Sequence, residues 1–149
     1  MENYFLQKAI EEAEIAGNKG DVPVGAVIVR NGEIISMAHN SKEEMKDPTN
    51  HAEILAIREA AAKLNDWRLS DCDMYVTLEP CTMCAGAIVH SRIRNLYIGT
   101  FDPKAGACGS VFNITQNGHL NHRVNVVWMY SEKCSEILQE FFKQRRKYR

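Results

Sequence analysis

The sequence predicts a three-layer α/β/α domain, in which helices cover both faces of one sheet. Segments with the apolar period of a helix alternate along the chain with short apolar runs of strand length. No internal repeat, linker or low-complexity tract interrupts this alternation. A chain of 149 residues can bury most of its unfolded surface around one core, so we expect residues 1–149 to form a single domain.

The first half of the chain opens with a helix and continues into a hairpin. Residues 4–16 carry an apolar stripe at helical spacing. Asn31-Gly32 is a strong two-residue turn signal between an apolar strand at 24–29 and an antiparallel strand at 33–38. Residues 40–50 are polar and predict a loop. The helix stripe comprises Phe5, Leu6, Ala9, Ile10, Ala13 and Ala16.

The second half alternates helices and strands around the same sheet. In order, we predict a helix at 50–64, a strand at 74–78, a helix at 82–91, a strand at 93–99, a weak element at 109–114, a strand at 124–128 and a helix at 132–146. The expected core face of the first of these helices comprises Ile54, Leu55, Ile57, Ala61 and Leu64. Ligands of α/β domains usually bind beside the carboxyl ends of strands, where the helices at 50–64 and 82–91 would begin.

The composition, 45% hydrophobic and 25% charged, is ordinary for a soluble globular protein. The N-terminus has no basic and apolar signal region, and no apolar run approaches membrane-spanning length, so we expect no membrane partner. Five cysteines is an odd number, which favours a reducing compartment and a cytoplasmic location.

Charge is unevenly distributed, although the net charge of −1 gives no global case for binding nucleic acid. Residues 143–149 carry five positive charges and no negative ones, which leaves −6 for the rest of the chain. Such an end is either a solvated tail that complements a helix dipole or a phosphate-binding segment. Phe141-Phe142 and Tyr148 offer rings on which a base could stack, and both interpretations stay open.

Two short motifs carry the chemistry: His51-Ala52-Glu53, and Pro80 to Cys84 with cysteines at positions 81 and 84. Cysteines three apart at the start of a helix place both sulfurs on one face. Two thiolates and one imidazole suit Zn²⁺, and three protein ligands leave the fourth tetrahedral position for water. Glu53 adds a carboxylate beside that water, so these residues describe a water-activating zinc centre with its own acid/base.

The alternatives are a redox CxxC pair and half of a structural zinc site. A four-ligand structural site needs a further Cys or His pair, and Cys72, Cys108 and Cys134 are scattered, with no role predicted for them. The order H-x-E followed by P-C-x-x-C is the signature of zinc nucleobase deaminases, which favours a catalytic site.

Helix geometry restricts where the His51 and Glu53 side chains can meet. Positions i and i+2 differ by roughly 200° around a helix, so the two converge only in its first turn. Both motifs should therefore open helices, whose N-terminal dipoles favour thiolates and developing negative charge.

The run from Val76 to Ile88, together with His51-Ala52-Glu53, resembles the cytidine-deaminase superfamily. Within it, the chain resembles the bacterial tRNA-specific adenosine deaminases over nearly its whole length. The segments that carry this second resemblance are 22–27, 47–49, 91–93 and 102–107. Cys108 stands where the family pattern has Ala before a Gly-Ser pair, and we interpret it as a neutral change.

The resemblance implies a cytidine-deaminase-like mixed five-stranded sheet in a homodimer with one Zn²⁺ per subunit on His51, Cys81 and Cys84. It implies hydrolytic deamination of adenosine to inosine at the wobble position of an arginine tRNA anticodon. Glu53 would move protons from the water to N1 and assist the departure of ammonia. Asn40 would help to hold the target nucleoside. Asp102 would either position the ribose of the nucleotide, which the resemblance favours, or cap a turn before Pro103.

The partner would be the anticodon stem-loop of the tRNA, whose unstacked bases lower the cost of extruding the target. Candidate phosphate contacts are Lys104, Arg92, Arg94, Arg145, Arg146 and Lys147. Lys104 could equally be a solvated loop cation, and Arg94 a surface strand residue. A free guanine or cytosine deaminase would share every zinc residue, whereas a non-enzymatic zinc-stabilised module would not need Glu53.

Overall fold

Five strands and five helices form the part of the chain that the structure, a computed structural model, describes, namely residues 3–147. In chain order they are α1 (Tyr4–Asn18), β1 (Gly25–Arg30), β2 (Glu33–His39), α2 (Lys42–Met45), α3 (Ala52–Leu64), β3 (Cys72–Leu78), α4 (Thr82–His90), β4 (Asn95–Thr100), β5 (Asn125–Trp128) and α5 (Glu132–Lys147). No helix among these residues has the length and apolar character needed to cross a membrane.

The strands make one mixed sheet in the order β2-β1-β3-β4-β5. Strand β1, which lies between β2 and β3, is antiparallel to both, whereas β3, β4 and β5 are parallel to one another. The prediction of a mixed five-stranded sheet is therefore confirmed, and the carboxyl ends of β3 and β4 lie side by side.

Helices cover both faces of this sheet, which confirms the three-layer architecture. On one face α1 packs on β1, β2 and β3, and α5 packs on β4. On the other, α3 packs on β1 and β2 and contacts α4. Alternate residues of β1 enter the two cores, with Val27 and Val29 towards α1 and Ala26 and Ile28 towards α3, as the pleat requires.

The predicted stripe of α1 is buried as expected apart from Phe5, which is half-buried. A Cβ at Gly25 would collide with the carbonyl oxygen of Ala9, so α1 lies directly on the start of β1. The amide of Gly25 donates to the hydroxyl of Thr77 at 3.1 Å, which ties this position to β3 as well.

The predicted core face of α3 was only partly right, because Leu55, Ile57 and Leu64 pack against the core but remain half-buried. The helix buries Ala52, Ala56 and Ala60, whereas the larger Leu55 and Leu64 pack only at the edge of the core. Alanines at i, i+4 and i+8 let the helix backbone approach the sheet closely. The apolar period of this segment favoured the larger side chains, but the narrow space between helix and sheet selects the small ones.

Two loop predictions also need correction. The short helix α2 lies inside the predicted loop at 40–50, and the loop ends in a turn in which Asp47 accepts two hydrogen bonds from Thr49. The weak element at 109–114 is only an isolated bridge between Cys108 and Asn113.

Candidate metal centre

Both chemical motifs open helices, as the spacing predicted. His51 is the N-cap residue of α3, and Cys81 is the N-cap residue of α4. Strand β3 ends at Leu78, so Glu79-Pro80 leads directly from the sheet into α4. The two helix N-termini thus meet beside the carboxyl end of β3, where α/β domains usually bind ligands.

The side chain of His51 makes no hydrogen bond that caps its own helix. Asn40, which follows β2, supplies this cap, since its Oδ1 accepts a hydrogen bond from the amide of Ala52 at 2.8 Å. This bond assigns the oxygen of the Asn40 amide, because a backbone N–H can only donate. The imidazole of His51 therefore remains available to a ligand.

Three side chains form the cluster of possible metal donors that the structure shows within residues 3–147. The Nδ1 atom of His51 lies 3.7 Å from Sγ of Cys81 and 3.5 Å from Sγ of Cys84. Tetrahedral zinc places a nitrogen and a sulfur ligand about 3.6 Å apart, given its usual bond lengths. The donor set and its spacing fit Zn²⁺, with one tetrahedral position left for a non-protein ligand.

The two cysteines differ in their protonation. Hydrogen bonds from Cys84 and then from His51 lower the pKa of Cys81 to about 3, against the effect of its burial. The hydrogen bond to Cys81 and burial raise the pKa of Cys84. The hydrogen bond between the two cysteines favours one thiolate in the pair, and a divalent cation must displace the remaining thiol proton when it binds.

Glu53 lies in the first turn of α3 and is 3% exposed. It is not one of the three donors of the cluster. Burial raises the pKa of its carboxyl group to about 7, although the charge of His51 opposes the rise. A carboxyl group with this pKa can both accept and return a proton near neutral pH.

These residues surround a cavity of about 180 Å³. Its lining comprises Val22, Val24, Asn40, Lys42, His51, Glu53, Leu78, Glu79, Cys81, Asp102 and Ala105. A typical pocket for a drug-sized ligand measures about 300–1,000 Å³, so this cavity suits a single base whose sugar stays outside. Within residues 3–147 the Nδ2 of Asn40 donates to no protein atom, and it is available to a ligand here.

A groove of about 540 Å³ adjoins the cavity, and Val22 and Lys42 line both. It brings together Lys104, Arg145 and Arg146, three of the cations predicted to contact phosphate. Lys42 is a fourth cation of this groove, which the sequence analysis missed. It lies in the polar segment between β2 and α3, so a search for charges flanking the histidine motif could have found it.

The last turns of α5 form one wall of this groove. Arg145 donates a hydrogen bond to the carbonyl of Gly20, and its guanidinium lies 4.9 Å from the ring centre of Phe141. Arg146 and Lys104 are exposed. The predicted stacking residue Tyr148 and the side chain of Lys147 lie outside the part that the structure describes.

Arg92 and Arg94 do not join this groove. Arg94 pairs with Asp73 at the start of β3, at 3.1 Å, and Arg92 lies over the ring of Trp67. Both follow the C-terminus of α4, whereas Cys81 and Cys84 lie at its beginning. Both residues lie at the far end of the sheet from the metal cluster, so the structure does not support the prediction that they contact phosphate.

The fold and the site together define the class of metal-dependent nucleobase deaminases. The MafB19-like deaminase family matches residues 2–146. The tRNA-specific adenosine deaminase of Aquifex aeolicus is 55% identical over 143 residues, which cover 96% of this chain and 95% of that protein. The chain belongs to the tRNA-specific adenosine deaminases.

Solved structures agree with this assignment. One from a study of A-to-I editing by tRNA:A34 deaminases at the wobble position has a TM-score of 0.87 and 43% identity, and covers 91% of this chain and 99% of its own. A guanine deaminase from Bacillus subtilis has a TM-score of 0.65 and 31% identity, and covers 97% and 95%. The same fold therefore also occurs in a deaminase named for a free base.

We predict that Cys81→Ala reduces bound zinc from about one ion per chain to nearly none, and lowers the melting temperature, because two donors cannot hold the ion. Metal analysis of the purified protein measures the loss. Cys108→Ala is the matched control, since Cys108 is buried but outside the cluster, and it should keep its zinc. Full zinc occupancy in Cys81→Ala would contradict the assignment of this ligand.

Proposed function

We propose that this chain is a zinc-dependent hydrolase that converts adenosine to inosine at the wobble position of a tRNA anticodon, with an arginine tRNA as its substrate. One observation carries the proposal: a buried carboxylate lies beside a three-donor metal cluster, in a small cavity that opens onto a basic groove. The membership of the chain among the tRNA-specific adenosine deaminases supports the choice of a tRNA as its substrate.

The proposed chemistry assigns His51, Cys81 and Cys84 to one Zn²⁺ per subunit. When bound, Zn²⁺ supplies Lewis-acid activation of a water molecule at neutral pH. Glu53 takes a proton from the attacking water, passes it to N1 of the adenine and assists the departure of ammonia from C6.

Asn40 and Asp102 hold the nucleoside in this proposal. The Oδ1 of Asn40 is occupied by the amide of Ala52, so only its Nδ2 can bind a ligand, and its partner must be an acceptor atom of the nucleoside. Asp102 lines the same cavity, and its Oδ1 accepts hydrogen bonds from the amides of Lys104 and Ala105.

The basic groove favours RNA over a free base as the substrate. A free base would fill the cavity and leave the cations of the groove without a role. Lys42, Lys104, Arg145 and Arg146 instead suit the phosphates that flank an extruded nucleotide, and Phe142, which is 46% exposed, offers a ring for stacking.

We also propose a cytoplasmic homodimer, as the resemblance implied. Two surface features support an interface. A Cβ at Gly86 of α4 would meet nothing within 4 Å, so another chain has room to approach there. Phe112 is half exposed, and exposed apolar residues of this size are typical of protein contacts when they cluster.

The proposal is tested by incubating the zinc-loaded protein with anticodon stem-loops, in RNA and DNA versions, and with free guanine, cytosine and adenosine. We expect inosine at the wobble position of the RNA stem-loop of an arginine tRNA, and no turnover of the free compounds. Ammonia release from guanine without inosine in any stem-loop would instead identify a free-base deaminase.

We expect Glu53→Gln to retain zinc and to lose about 10²- to 10⁴-fold in kcat, the range typical of general acid/base catalysis. Glu59→Gln, an exposed position on the same helix, serves as the control and should be as active as the wild type. Deamination by zinc-loaded Glu53→Gln at the rate of this control would remove Glu53 from the mechanism.

Asn40→Asp separates the two functions of Asn40. The carboxylate keeps an acceptor for the amide of Ala52 but replaces the Nδ2 donor, so we expect a loss in kcat/KM of about 10- to 100-fold while the cap of α3 is kept. Asn40→Ala, which removes the cap as well, should in addition lower the stability by about 1 kcal/mol. Full activity of Asn40→Asp would show that the nucleoside does not use this donor.

Because the groove is lined by cations, we expect the affinity for RNA to fall as the salt concentration rises. Replacing both Lys104 and Arg146 by Ala should reduce the slope of log Kobs against log salt by about 1.4, because each single-strand phosphate contact contributes about 0.7. The control, Lys8→Ala with Lys63→Ala, changes the net charge equally outside the groove. Equal slopes for the two double variants would place the RNA elsewhere.

A further inference from the structure

A second buried glutamate lies next to the metal cluster and has no part in the proposed proton transfers. Glu79 is 2% exposed and directly precedes Pro80 and the ligand Cys81. It has no basic partner among the salt bridges within residues 3–147. A buried carboxylate is stable only when other groups satisfy its charge.

One surface loop supplies all the hydrogen bonds to this carboxylate. Its Oε1 accepts from the amide of Asp102 at 2.9 Å and from the hydroxyl of Ser110 at 2.5 Å. Its Oε2 accepts from the amides of Cys108 at 2.9 Å and Ser110 at 3.1 Å. Four donors match the four lone-pair positions of a carboxylate, so residues 102–110, called here the capping loop, form an anion site of three backbone amides and one hydroxyl around Glu79.

Two further contacts fix the capping loop to the same anchor. The amide of Ala107 donates to the carbonyl of Pro80 at 2.9 Å. A Cβ at Gly106 would collide with the carboxylate of Glu79, so the chain passes the carboxylate at a distance that only glycine permits. The capping loop therefore packs against Glu79-Pro80, the two residues that precede Cys81. Glu79 thus sets the distance between the capping loop and the metal cluster.

The capping loop begins with residues that the proposed function uses. Asp102 and Ala105 line the cavity beside His51 and Cys81, and Lys104 lines the basic groove. The Oδ1 of Asp102 accepts the amide of Lys104 at 3.0 Å, so the backbone of Asp102 also determines where Lys104 lies. A shift at Asp102 would therefore move one wall of the cavity and one cation of the groove together.

We propose that Glu79 is a positioning residue for substrate binding: its carboxylate holds the capping loop so that Asp102 and Lys104 face the RNA beside the metal cluster. This inference rests on the proposed function, because Lys104 needs an RNA phosphate to bind. Glu79 itself touches neither the substrate nor the metal in this scheme.

Glu79→Gln gives a selective test, because the amide has one acceptor oxygen where the carboxylate has two. The Oε2 position faces two backbone N–H donors, whereas the Oε1 position faces one N–H and a hydroxyl that can reverse and accept. The glutamine oxygen should therefore keep Cys108 and Ser110, and its NH₂ group should face Asp102. The variant releases the Asp102 end of the capping loop alone.

The first measurement is amide hydrogen exchange, which needs no substrate. In Glu79→Gln we expect faster exchange at the amide of Asp102, with exchange at Cys108, Ser110 and the core of β3 close to the wild type. Glu33→Gln, at an exposed hairpin position, is the control. Unchanged exchange at Asp102 would overturn the proposed anchoring.

The second measurement is the affinity for an anticodon stem-loop, in a Glu53→Gln background that does not convert the RNA. We expect Glu79→Gln to raise Kd about 10-fold, at full zinc content, and the same change to have a much smaller effect when Lys104 is already Ala. A Kd equal to that of Glu33→Gln, or full additivity with Lys104→Ala, would overturn the positioning role.

Ser110→Ala provides an independent variant if Glu79→Gln does not fold, since it removes one of the four donors and leaves the carboxylate in place. We expect the same two effects at a smaller size, and their joint absence would refute the inference. Failure of the proposed function is a separate result: the wild-type protein would then form no inosine in any stem-loop. If the wild type forms inosine and both variants bind RNA as tightly as the control, only the role of Glu79 fails.

Discussion

Two helix N-termini meet beside the carboxyl end of β3, and the rest of the site is arranged around this meeting point. His51 opens α3 and Cys81 opens α4, so three donor atoms from segments thirty residues apart come within 4.8 Å of one another. The positive ends of both helix dipoles face the same place, which favours a thiolate there. The alanine face of α3 makes the meeting possible, because it lets the helix lie close to the sheet.

The site contains two buried glutamates whose surroundings give them different chemistry. Glu79 accepts four hydrogen bonds from a loop, which hold it in one position. Burial instead raises the pKa of Glu53 to about 7, so a proton can be gained or lost there. A fully hydrogen-bonded carboxylate suits a structural anchor, and a poorly solvated one suits proton transfer.

In the proposed function, substrate selection depends on a different part of the fold from the chemistry. The cavity of about 180 Å³ is lined by two of the metal donors, His51 and Cys81, whereas the groove beside it is assembled from residues 20–22, α2, the capping loop and the end of α5. These four segments lie apart in the chain and outside the sheet. The shared fold of a guanine deaminase at 31% identity is consistent with this division, since loops and termini can change while the metal helices stay.

The sequence by itself predicted the metal donors and the acid/base candidate, because spacing within one helical turn is a local property of each motif and the order of the two motifs matches a known signature. It also determined the layer architecture, through the alternation of helical and strand periods. The tertiary structure decided which face of α3 is buried, which atom of Asn40 remains available, and that Lys42 but not Arg94 joins the groove. It also revealed Glu79, whose partners lie 23 to 31 residues further along the chain. Contacts of this range depend on how the elements pack, and no local pattern encodes them.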